Sequence, residues 1–158
     1  MTDDFRSAYL RDILRTYRNY KTLGERAIAQ VSDPDLHVLV DPDSNSIAII
    51  VKHLAGNLRS RFTDFLTTDG EKPDRNRDQE FEMPDLVSRA AIMGWWESSW
   101  QIALKSIEGL SGNDLQKIVT IRGEALTAIE ALNRLNDHAA YHVGELIFFR
   151  RVTGAWGE

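Results

Sequence analysis

Apolar residues recur along this chain at helical rather than strand spacing, and they divide it into four long segments. The first runs from about Asp3 to Gln30, with Phe5, Tyr9, Ile13, Leu14, Tyr17, Tyr20, Leu23 and Ala27 in register. Asp33 and Pro34 mark its stop, and a connector with Pro34 and Pro42 follows. The second segment starts at the capping cluster Ser44–Asn45–Ser46 and reaches about Leu66, its stripe reading Ile47, Ile50, Leu54, Leu58 and Phe62. The third begins near Asp85, directly after Pro84, and ends near Gly109 and Gly112; Leu86, Met93, Trp96, Trp100 and Leu104 form its stripe. KIVTIRG, residues 117–123, reads as a short extended piece. The fourth segment runs from about Glu124 to Thr153, with Leu126, Ile129, Leu132, Leu135, Leu146 and Phe149 on apolar faces. At 1.5 Å per residue it spans about 45 Å, a full bundle length.

The link between the second and third segments, TTDGEKPDRNRDQEFEMP, is 18 residues long and shows no element of its own. Connections beyond about 12–15 residues are uncommon in compact domains and need a reason. Extended, this one reaches roughly 60 Å, enough to travel the height of a bundle. The expected architecture is therefore an all-α four-helix bundle whose middle helices run parallel, joined by a crossover that also folds over one end. One domain accounts for residues 1–158.

Composition narrows the function. The chain of 158 residues is 42% hydrophobic and 27% charged, with a formal net charge of -5. That balance belongs to a soluble globular domain and argues against nucleic acid or an anionic membrane as the main partner. No apolar run approaches the roughly 18 residues that cross a bilayer. The opening MTDDFRSAYLRD lacks the basic and apolar regions of a signal peptide, so the expected compartment is the cytoplasm. With no cysteine, the chain can build neither a disulfide nor a thiolate metal site.

Candidate chemistry rests on histidines. His138 and His142 stand four apart on one helix, so both rings leave the same face with roots about 6 Å apart. Two imidazole nitrogens so placed can converge on one ion at about 2.0–2.1 Å each. A third ligand must come from another helix, and His53, beside the second stripe, is the candidate; the competing role for His53 is a hydrogen-bonded core residue. His37, in the proline-bounded connector, is read as structural. Asn57, one turn after His53, could orient substrate or join two helices. Trp95, Trp96 and Trp100 could wall a pocket or fill the core. Asp64, Asp137 and Tyr141 are candidates to hold imidazole N–H groups, and Glu145 reads more readily as a solvated helix charge than as a group facing the same cavity. Arg75 and Arg77 on the connector could meet an anionic substrate or remain solvated. No catalytic base stands out.

SNSIAIIVKHLAGN, FLTTDGEKPDRNRD, TIRGEALTAIEALN and HAAYHVGELIFF together resemble the DinB/YfiT-like family of metal-dependent enzymes, and most closely a subgroup of uncharacterised function. The resemblance extends over essentially the whole chain. It implies an up-down-down-up four-helix bundle, frequent homodimers, and a divalent ion, nickel or zinc, held by His53, His138 and His142. Relatives of this kind use a small cellular thiol as cosubstrate, which suits a chain without cysteine.

An open three-histidine site acts as a Lewis acid or brings a bound water to a pKa near 7. The first functional expectation is thus a metal-dependent enzyme that transfers a small-molecule thiol or hydrolyses a small substrate. The second is a bundle that binds metal or ligand without turnover. The third is a structural bundle that works by oligomerising, with Ala155 and Trp156 at its terminus.

Overall fold

Four amphipathic stripes fold onto one another in the computed structural model, which describes residues 3–83 and 85–153. The helices are α1 (Asp3–Ala29), α2 (Ile47–Phe62), α3 (Arg89–Glu108) and α4 (Ala128–Val152), and between the last two lies a hairpin of β1 (Ile118–Ile121) and β2 (Glu124–Thr127). The fold is therefore an all-α four-helix bundle with one small two-stranded sheet. Pro84, Ala155 and Trp156 lie outside the described residues.

Helix directions follow from which side chains meet. Along α1, Tyr17 touches Trp100, Gly24 lies under Trp96, and Arg89 at the start of α3 donates to the carbonyls of Ile28 and Val31. Rising numbers on α1 meet falling numbers on α3, so the two are antiparallel. Tyr17 also packs on Phe62 at the end of α2, with ring centroids 5.6 Å apart. One surface cavity places Ala55 and Arg59 of α2 beside Trp95, Ser98 and Ile102, which makes α2 and α3 parallel. On α4, His138 and His142 meet His53, while Leu135 lies by Asn57 and Arg61, so α4 opposes α2. The path is up-down-down-up, and the long connector is a crossover.

Capping chemistry sets the helix starts and corrects two boundaries. Ser46 Oγ accepts from the Ile49 amide and Ser88 Oγ from the Ala91 amide, so α3 begins at Arg89 and not near Asp85. Leu86 precedes the helix and is 81% exposed rather than part of its stripe. Thr127 and Glu130 form a reciprocal capping box, which starts α4 at Ala128 and leaves Glu124 in β2. α2 ends at Phe62, not Leu66, because Asp64 turns to φ 49°. Phe5 projects outward at 56% exposure. The crossover is not featureless either: Asp78–Phe81 forms a single 3₁₀ turn whose third residue, Glu80, is buried.

The core places large aromatics between α1, α2 and α3. Tyr17, Phe62, Trp96 and Trp100 are each at most 2% exposed. Trp96 fits because residue 24 is glycine: a Cβ there would come within 2.3 Å of the indole. Among the described residues no helix is long and apolar enough to cross a membrane.

Asp69 ties the crossover to the hairpin. Its Oδ1 accepts from the Glu71 and Arg122 amides and its Oδ2 from the Gly123 amide, at 2.7, 2.9 and 2.8 Å. Amide donation from Glu71, Gly123 and Arg122, with the Thr120 hydroxyl, holds the Asp69 carboxyl down at about 2. A depressed folded value stabilises above the ordinary carboxylate range and is lost as pH falls through about 2. Asp69→Ala is expected to cost about 1 kcal/mol, read from urea midpoints at neutral pH. In Asp69→Asn, the part of the midpoint's decline between about pH 4 and pH 2 that this carboxylate causes disappears.

Candidate metal centre

The antiparallel pairing of α2 and α4 brings three histidine rings to one point. Ring centroids are 4.5 Å apart for His138 and His142, 4.7 Å for His53 and His142, and 5.4 Å for His53 and His138. One nitrogen from each ring lies within 4.8 Å of those of the other two. Nε2 of His138 and Nε2 of His142 stand 3.2 Å apart. Two nitrogens sharing one tetrahedral ion at 2.0–2.1 Å are separated by roughly 3.3 Å, so this pair already has the spacing that coordination requires.

Hydrogen bonding fixes which nitrogen faces inward. His53 Nδ1 donates to Glu80 Oε2 at 2.9 Å, and His142 Nδ1 donates to Glu145 Oε2 at 2.6 Å. Both rings therefore turn an Nε2 lone pair toward the shared point, the arrangement in which a carboxylate behind an imidazole sets its tautomer and ring orientation. Burial, then the neighbouring His142 and His53 and the guanidiniums of Arg61 and Arg75, push the His138 imidazole down to about 3. At neutral pH His138 is uncharged, the form that ligates a cation. Its Nδ1 is buried with no hydrogen-bond partner among the described residues.

Glu80 reaches His53 through a gap in α2. A Cβ at Gly56 would sit 2.1 Å from Glu80 Oε1, so only glycine leaves room for the carboxylate. Arg75 then grips Glu80 with two bonds, Nε to Oε1 at 2.8 Å and Nη2 to Oε2 at 2.9 Å. Burial raises the Glu80 carboxyl's pKa, and Arg75 and His53 more than reverse this, so it stays ionised. Phe81 stacks over the His53 ring at 4.5 Å, and Arg77 lies over Phe81 at 5.4 Å.

A cavity of about 350 Å³ opens beside His53 and His138, lined also by Asn57, Leu135 and Ile121 and by arginines from the crossover, α2, the hairpin and α4. The family model described as "Protein of unknown function (DUF1572)" matches residues 4–155, nearly the whole of the chain that builds this centre. The chain belongs to the DUF1572 family. No curated protein matches it.

Within this DUF1572 protein the other candidate residues divide. Glu145 bonds His142, and Asn57 is buried and lines the cavity with its side-chain amide unpartnered among the described residues. Tyr141 touches the His142 ring at 5.1 Å yet is 65% exposed. Asp137 does not hold an imidazole: one position before His138, it is rotated about 100° round α4 and exposed. Asp64 lies in the exposed turn after α2, bonding Thr67 and Thr68 through its carbonyl. Trp96 and Trp100 fill the core, while Trp95 lines a separate cavity on the α3 side of Glu80. His37 Nε2 donates to the Val87 carbonyl at 2.9 Å and pins two connectors together.

The sequence reading missed Glu80 and Gly56, and also the cavity's Arg61, Arg122 and Arg134. The one signal for Gly56 was a glycine inside an otherwise good helix, which points to a close approach. Glu80→Gln removes the charge behind His53 while preserving shape, and is expected to weaken divalent-ion affinity about 10–100-fold by calorimetric titration. Gly56→Ala is expected to do the same by displacing Glu80.

Proposed function

We propose that this protein is a metal-dependent enzyme in which His53, His138 and His142 hold one divalent ion, nickel or zinc, and that it transfers a small-molecule thiol. The observation that carries the reading is the convergence of three imidazoles with two Nδ1 atoms tied to carboxylates. The resemblance to the DinB/YfiT-like family supports the same ligand set. A bound divalent ion would supply Lewis acidity and lower the pKa of a thiol or water beside it.

The residues around the cavity favour thiol chemistry over hydrolysis. Each nearby carboxylate is engaged: Glu80 by Arg75 and His53, Glu145 by His142, and Glu124 by both terminal nitrogens of Arg134. Among the described residues none of these is free as a general base for water. A thiol, with a reference pKa near 8.5, needs far less help to become a nucleophile. Asn57 would orient the bound molecule through its unpartnered amide. The engaged carboxylates equally favour, as the second reading, a bundle that binds metal or ligand without turnover.

Protein purified without a chelating tag is expected to carry about one divalent ion per chain by elemental analysis. His138→Ala and His142→Ala are expected to lose it, and a metal-free wild-type protein would sink the reading. Turnover of electrophiles only when a small thiol is supplied supports the transferase. Turnover without thiol supports the hydrolase, and no turnover by the loaded protein supports the binding bundle.

A further inference from the structure

We propose that the ligand of this site is a small oxyanion-bearing molecule, its carboxylate or phosphate seated among Arg61, Arg75, Arg77, Arg122 and Arg134 beside Asn57; this rests on the reading of the cavity as the substrate site. Five guanidiniums line the cavity, whereas Glu124 is the one carboxylate on its wall. Counting Glu71 and Glu80 behind them, five positive groups face three negative ones, an excess of two. This sits in a chain whose formal net charge is -5, so the positive field is local and built.

The arginines are not all consumed by internal pairing. Arg75 and Arg134 spend their bonds on Glu80 and Glu124. Arg122 reaches Glu71 through Nε alone, at 3.2 Å, leaving both terminal nitrogens without a protein partner among the described residues. Arg77 has a ring contact with Phe81 and no carboxylate among the described residues. Arg61 donates from one terminal nitrogen to the Gly70 carbonyl and Glu71, and is itself buried. Parallel free N–H groups on a guanidinium match the two oxygens of a carboxylate or phosphate.

A further fact points to an anion. Arg122 occupies the first central position of the hairpin turn with φ 54°, followed by Gly123 at φ 76°, the pair of positive values that marks a type I′ turn. Asparagine, aspartate or glycine sits there at little cost, whereas arginine is strained. Asp69 holds the strained turn by accepting both of its amides, and the result is a guanidinium directed at the cavity. The volume of about 350 Å³ suits a small molecule rather than a polymer.

The test uses metal-stripped wild-type protein, so that no anion can bind through an ion, with inorganic phosphate and succinate as probes and neutral glycerol as control. Saturable binding of phosphate or succinate but not glycerol is expected by calorimetry, and the stronger probe tells the phosphate source from the carboxylate one. Arg122→Asn and Arg77→Gln are expected to weaken it about tenfold or more, while Arg15→Gln on the far face of α1 leaves it unchanged. Arg122→Asn should keep or raise the urea midpoint, because asparagine relieves the turn, so a loss of binding in that variant is not a loss of fold. Absence of binding in the stripped wild type, or equal binding by Arg122→Asn, overturns the proposal. Neither result touches the metal reading, which elemental analysis decides separately.

Discussion

The contact on which the centre depends is the buried bond from His53 to Glu80, clamped from behind by Arg75. It joins α2 to the middle of the crossover and turns the ring so that one nitrogen faces α4. Glu80 can be buried as a carboxylate only because Arg75 and His53 both satisfy it; removing one partner from such a group typically costs several kcal/mol. The absence of a side chain at Gly56 makes the approach possible. Ring orientation, crossover path and helix sequence are thus one constraint seen from three sides.

From that clamp the rest of the site follows outward. The 3₁₀ turn that carries Glu80 also stacks Phe81 on His53 and lays Arg77 across Phe81. Glu71 gathers Arg61, Arg75 and Arg122 from three different elements, so the crossover, α2 and the hairpin share a single carboxylate. Asp69 fixes the turn from the same stretch of chain. The crossover is therefore less a spacer than the wall of the cavity, with Asp69, Glu71, Arg75 and Glu80 tying it to the helices and the hairpin.

The helices and the histidine pair were legible because each has a local signature, whereas His53 was singled out by its place beside the second stripe and by the family resemblance. Stripes at helical spacing mark the bundle, and an i, i+4 histidine pair marks one face of α4. The start of α4 was equally legible in Thr127 and Glu130, a capping box three residues apart, and its neglect put Glu124 in the wrong element. What was hidden lies in tertiary space. Nothing within the acidic run around Glu80 says that one of its carboxylates is buried against a histidine many residues earlier. The arginines that crowd the cavity are scattered along the chain among ordinary surface charges. Asp137 was misplaced for a simpler reason: adjacency in sequence puts a residue a quarter turn away on a helix.

The spacing of the three histidines also orders events as the chain folds. The pair on α4 needs only a helix, which forms in about a microsecond or less, to become a two-pronged grip. His53 joins after the crossover, α3 and the hairpin have closed the intervening chain, the slow and entropically costly step. A cation present while the full chain refolds would therefore be able to meet a half-built chelate first, and its full coordination would report that the long-range topology had been completed.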